Sequence, residues 1–196
     1  PNPLPDRALG DDPFSVAATA SSGLPVSFAA GPGNVCTIDA STVTLTGVGD
    51  CTVTASQDGD GNHFAANPVA RPFRVERAVS ATTARGDATY GDTSVTLTAT
   101  VTRTSDGRPV AAGGAVTFPF NGRTYQATTD ARGVATAAAS LPAGQAAGKF
   151  AGRVQASYAG SADIQGSAAS GPLVVARRIL WVKPVDRTVG LKQPNP

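Results

Sequence analysis

Residues able to do chemistry are few in this 196-residue chain, and each has a plainer structural reading beside it. His63 is the only histidine and Glu76 the only glutamate. A Ser-His-Asp nucleophile system would have to use His63, yet no Gly-x-Ser-x-Gly elbow occurs anywhere. His63 beside Phe64 reads as a surface turn residue. Glycoside hydrolysis needs two opposed carboxylates in a cleft. The carboxylates here fall mostly in turn segments, where aspartate accepts hydrogen bonds from backbone amides. There is no phosphate-cradling glycine loop and no metal-spaced Cys/His cluster. The sequence therefore points to no catalytic residue and no cofactor.

Three further groups merit naming. Asp58-Gly-Asp60-Gly-Asn62 places oxygen ligands at alternate positions, like the start of a calcium loop. The glycine such a loop needs at its sixth position is His63, and the acidic residue at its twelfth is Val69, so a plain polar loop is the alternative. Arg85-Gly86-Asp87 spells a cell-binding tripeptide in a segment expected to be loop, although its neighbours do not mark a projecting tip. Cys36 and Cys51 are the only cysteines. They read as one disulfide in an oxidising compartment, or as two buried thiols; a metal would need more ligands than these two and one distant histidine.

Both cysteines lie in the most patterned stretch of the chain, Cys36 to Ala55. Apolar residues alternate with threonine over Cys36/Ile38, Val43/Leu45 and Cys51/Val53/Ala55, with Asp, Ser and Gly between the runs. Period-two alternation bounded by such residues predicts three half-buried strands. Cysteines can be bridged only if their Cα atoms come within about 7 Å. In a flat meander the outer strands would lie about 9.6 Å apart. A bridge thus requires the third run to cross to an opposite sheet, and closing such a loop contributes roughly 3 kcal/mol.

The same alternation predicts strands at Phe14–Ala20, Pro25–Ala30 and Arg71–Glu76, with a polar loop from Gln57 to Asn67. A second unit follows, with strands at Ser94–Thr102, Ala115–Phe120, Arg123–Thr128, Gly133–Ser140, Gly152–Tyr158 and Leu173–Ala176. Asn121-Gly122 signals a type I′ hairpin. Six or seven short strands per unit, with turns every 8–12 residues, is the pattern of a β-sandwich. The expected division is 1–76, 77–176 and a remainder, 177–196, with almost no linker near Arg77.

That remainder carries an internal echo. Val185-Asp-Arg-Thr-Val-Gly190 matches Pro5-Asp-Arg-Ala-Leu-Gly10, which makes Ile179-Leu-Trp-Val182 the opening strand of a truncated third repeat. On this reading the first unit lacks its equivalent strand. Ile179–Val182 could then exchange into the open edge of a neighbouring copy, a frayed tail being the alternative. The absence of Met, position 1 included, points to a piece of a longer chain. Net charge is +2 with basic residues scattered, which argues against nucleic acid. No apolar run reaches the length of a membrane span, and no signal peptide is present.

Gly23-Leu-Pro-Val-Ser-Phe28, Val35-Cys-Thr-Ile38, Cys51-Thr-Val-Thr-Ala-Ser-Gln57 and Arg71-Pro-Phe-Arg-Val75 resemble bacterial immunoglobulin-like repeats of large surface and adhesin-type proteins. Tyr90-Gly-Asp, Val95-Thr-Leu-Thr-Ala-Thr-Val101, Gly133-Val-Ala-Thr136, Leu141-Pro-Ala-Gly144 and Ala156-Ser-Tyr-Ala-Gly-Ser161 resemble a sister type. The resemblance implies an all-β chain of tandem immunoglobulin-like sandwiches, a paired Cys36 and Cys51, and an extracellular or cell-surface location. It implies a non-enzymatic stalk or spacer whose partners are adjacent repeats of the same polypeptide. A glycan- or protein-binding adhesion module, and a spacer within a secreted multidomain enzyme, are the alternatives.

Overall fold

Fourteen strands and no helix are formed by residues 3–183, the part of the chain described by the computed structural model. In the first half, β1 (Arg7–Ala8), β7 (Ala66–Glu76), β6 (Gly49–Gln57) and β3 (Ser27–Gly31) form a four-stranded sheet in that order. A second sheet holds β2 (Phe14–Ser15), β5 (Thr42–Leu45) and β4 (Cys36–Asp39). All pairings are antiparallel except β1 with β7. Alternation decides which face is covered. Val35, Cys36, Val43, Cys51, Val53, Phe73 and Val75 are buried together, while the threonines between them stay at or near the surface. Phe14 meets Phe73 edge-on at 5.7 Å, and the Arg7 guanidinium lies 4.5 Å from the Phe14 ring centre.

Cys36 sits on β4 and Cys51 on β6, so their disulfide joins the two sheets. The Cα atoms are 5.9 Å apart, and both residues are fully buried. The crossing demanded by the meander argument is therefore what the chain does.

The second half forms one continuous ladder, ordered β11-β10-β13-β14-β8-β9-β12. Its members are β8 (Ser80–Thr89), β9 (Ser94–Arg103), β10 (Ala115–Phe120), β11 (Arg123–Thr128), β12 (Val134–Ser140), β13 (Gly148–Tyr158) and β14 (Ser167–Ala176). β8 is the pivot. Its residues 80–87 pair antiparallel with β9, and residues 86–89 pair parallel with β14. Val95, Leu97, Ala99 and Val101 of β9 share one core with Phe118, Val154, Leu173 and Val175 of β10, β13 and β14, on the other side of β8, so the ladder folds over about β8. Asn121 and Gly122 both have positive φ, 49° and 73°, in the two-residue loop between β10 and β11. This is the backbone a type I′ hairpin requires.

Three expectations need correction. The strand foreseen at Phe14–Ala20 ends at Ser15. Its side chains still alternate, with Phe14, Val16, Ala18 and Ala20 half-buried and Ser15, Ala17 and Thr19 exposed, but no neighbouring strand pairs with residues 16–20. β7 starts at Ala66, so it takes up the end of the foreseen polar loop. β8 was not foreseen at all. Its buried face is Ser80, Thr82, Ala84 and Gly86, which carries no apolar signal to alternate.

The halves are joined by Arg77–Val79. Ala78 is 1% exposed, donates its amide to the Asp163 carbonyl and accepts from the Gln165 amide. Each half opens with the same hydrogen-bonded corner. Leu9 donates to the Glu76 carbonyl, Ala8 to Asp11 Oδ2 (3.0 Å), and Gly10 has φ 100°. Likewise Tyr90 donates to the Ala176 carbonyl, Thr89 to Asp92 Oδ2 (2.8 Å), and Gly91 has φ 90°.

Candidate functional sites

The polar loop between β6 and β7 carries His63 and the candidate calcium ligands. Asp60 is the organiser. Its Oδ1 accepts the amides of Asn62 (2.9 Å) and His63 (2.8 Å) and lies 2.9 Å from His63 Nδ1. The Asn62 amide first, and the His63 ring next, hold the Asp60 carboxyl below its ordinary range. That oxygen is thus committed to closing the turn. Gly59 is required here, since a β-carbon would lie 2.3 Å from the His63 carbonyl oxygen. Among the described residues, no group of three or more His, Cys, Asp or Glu side chains is placed to hold a metal. Phe64, next in the chain, is 100% exposed.

Arg85, Gly86 and Asp87 lie inside strand β8, not in a loop. Gly86 faces the core, and a β-carbon there would meet Val154 Cγ2 at 2.9 Å and Leu173 Cδ1 at 3.2 Å. The flanking side chains both face outward and bind each other. Arg85 Nε donates to both carboxylate oxygens of Asp87 at 2.7 Å, and Nη2 lies 2.6 Å from Oδ1. The pairing with Asp87 holds the guanidinium in its charged form. The tripeptide is a flat, self-paired strand segment.

Other aspartates close turns. Asp130 Oδ1 accepts the amides of Arg132 (2.8 Å) and Val134 (2.9 Å), and these bonds, the Val134 one foremost, hold its carboxyl below the ordinary range. Tyr125 Oη accepts the Ser140 amide at 3.1 Å, tying the β10–β11 hairpin to β12. Asp11 and Asp92, which build the repeated corner, carry a Gly-Asp signal in the sequence.

Ile179, Leu180, Trp181 and Val182 form no strand with this chain and are 77%, 84%, 91% and 94% exposed. The echo Val185–Gly190 lies outside the described residues. No helix among the described residues is long and apolar enough to cross a membrane. One open apolar groove of about 450 Å³ lies in the first half, against Val16–Ala20, the stretch that follows β2 and whose Val16 amide still donates to the Ser41 carbonyl at 2.8 Å. No periodicity in the sequence marks it, because it arises from where a ladder stops.

No protein-family model matches the chain, and no curated protein matches it. Among solved structures, the chain is similar to the Yersinia pseudotuberculosis adhesin InvE, at 15% sequence identity and a TM-score of 0.29. That similarity covers 87% of this chain and 56% of the other, so the chain spans little more than half of the InvE structure. It is also similar to the D0-D1 domain of intimin, at 20% identity and a TM-score of 0.27, covering 87% of this chain and 94% of that one.

Proposed function

We propose that residues 1–76 and 77–176 are two immunoglobulin-like β-sandwiches in tandem, and that residues 177–196 carry the opening strand of a third repeat. On this reading they are non-enzymatic stalk or spacer modules of a bacterial extracellular, adhesin-like protein. The observation that carries it is the joint. Only three residues, Arg77–Val79, separate β7 from β8, and the middle one is buried in the second unit by two backbone hydrogen bonds. A spacer holds its neighbours at a set distance, which a freely swinging linker cannot do. The repeated corner supports the tandem reading, since it starts each unit the same way. A spacer inside a secreted enzyme would use the same joint.

Small-angle scattering tests this. The native chain should give one narrow distribution of distances between the two units. A variant with Gly-Gly-Ser inserted after Arg77 should give a visibly broader one. A native profile already as broad as that of the insertion variant would remove the basis for a spacer.

Phe64 favours a second reading, an adhesion module, because a fully exposed aromatic ring on a turn held by Asp60 could stack on a sugar or peptide face. Glycan or protein binding lost in Phe64→Ala, with an unchanged melting temperature, would support it.

A further inference from the structure

The second unit is entered and left by neighbouring strands. β8 is its first and β14 its last, and they run side by side in the same direction. The chain enters at Ala78, which bridges to Ile164, and leaves at Ala176, which pairs with Thr89. Entry and exit therefore lie at opposite ends of β8, a ten-residue strand about 33 Å long. Both boundaries are internal to the described chain, with the first unit on one side and residues 177–183 on the other.

Links between the two strands run along their whole length. At the entry, the Ala78 amide donates to the Asp163 carbonyl and the Gln165 amide to the Ala78 carbonyl, both at 2.8 Å. The Gln165 side chain also donates to the Arg77 carbonyl at 3.4 Å. Ser80 Oγ donates to the Gln165 carbonyl at 2.7 Å. Ser167 Oγ lies 2.8 Å from Ser80 Oγ and 2.7 Å from Thr82 Oγ1. These buried hydroxyls supply links over a stretch where the two backbones do not pair. Midway, Gly171 lies so close to β8 that a β-carbon would stand 1.6 Å from the Ala84 carbonyl oxygen. At the exit, residues 86–89 pair with 173–176, and the Tyr90 amide donates to the Ala176 carbonyl at 2.8 Å. On their outer sides β9 and β13 hold the two strands in the ladder.

We infer that β8 and β14 form a mechanical clamp, the part of the second unit that carries tension along the chain. The inference rests on the spacer reading for the source of tension and on this geometry for the rest. Tension drawn between Ala78 and Ala176 slides the two strands past each other along their own direction. Every link is then strained at once, and the links yield together. Peeling the same strands from one end would break the links singly, each a modest contribution. Rupture under force follows the unfolding barrier, so sliding is the geometry that yields last.

Single-molecule pulling tests this on the intact chain, with one handle fused ahead of residue 1. Both native cysteines are bridged, so one added cysteine gives one second attachment point. Lys183→Cys draws the second unit through its natural exit and slides β8 along β14. Ala162→Cys, on the exposed turn at the entry end, peels the same strands apart from that end. The first unit is in series in both cases and serves as the internal standard. Its event is the shorter one, because the bridge keeps the residues between Cys36 and Cys51 from extending. The second unit should yield at a force several-fold higher through Lys183→Cys than through Ala162→Cys. Because a cysteine at 162 could disturb the turn, Arg108→Cys, on the exposed β9–β10 connection at the same end, gives a second peeling geometry. It should match the low value. Equal forces in sliding and in either peeling geometry would overturn the clamp. A narrow scattering profile with equal forces counts against the clamp alone, and a broad profile with a strong clamp against the spacer reading alone.

Discussion

Gly86 and Gly171 lie at a close crossing, where β14 and β13 press on β8. A methyl group at Gly86 would meet side-chain ends, Val154 Cγ2 at 2.9 Å and Val95 Cγ2 at 3.3 Å, and these can shift. A methyl group at Gly171 would lie 1.6 Å from the carbonyl oxygen of Ala84, which is held in the ladder. Gly86→Ala should therefore cost about 1–3 kcal/mol, as for other overpacked sites, and Gly171→Ala more. Urea denaturation of both variants checks the order; equal losses would mean that the backbone gives way as easily as side chains do. Asp130 supplies a pH prediction at the same scale. Its carboxyl is held below the unfolded value of about 3.9 by two amides, so its contribution is present above that pH. It is lost as the pH falls through the lowered folded value. Asp130→Ala should melt lower than the native chain at neutral pH, and the gap should narrow on acidification below pH ~4. A gap that stays constant with pH would detach the stability from the carboxylate.

At the scale of elements, the disulfide is the clearest lever. It joins β4 to β6 across two sheets over a sequence separation of 15. A loop of that size is worth about 3 kcal/mol, or about 12–24 °C in the melting of a unit this small. Reduction, or the double change Cys36→Ala and Cys51→Ala, should lower the melting of the first unit by that amount and leave the second unchanged. Differential scanning calorimetry with and without reductant measures it. The strands flanking this bridge were legible because Val43, Val53 and their threonine neighbours make an unbroken period of two. β8 was not, because close strand approach selects Ser80, Thr82, Ala84 and Gly86 for its inner face, and small residues carry no hydropathy period. That is also why Arg85-Gly86-Asp87 looked like a loop: its glycine serves packing between strands, not a turn. β2 shows the converse. Phe14–Ala20 has the period of a strand, but a strand also needs a partner, and partners are not written in local pattern.

At the scale of the whole molecule, the described residues form two separate buried clusters, one built from Val35 to Val75 and the other from Ala84 to Val175. The first is small, with seven buried residues against seventeen in the second, and one side of it faces the open groove. Two calorimetric transitions should result, with the first unit melting at the lower temperature.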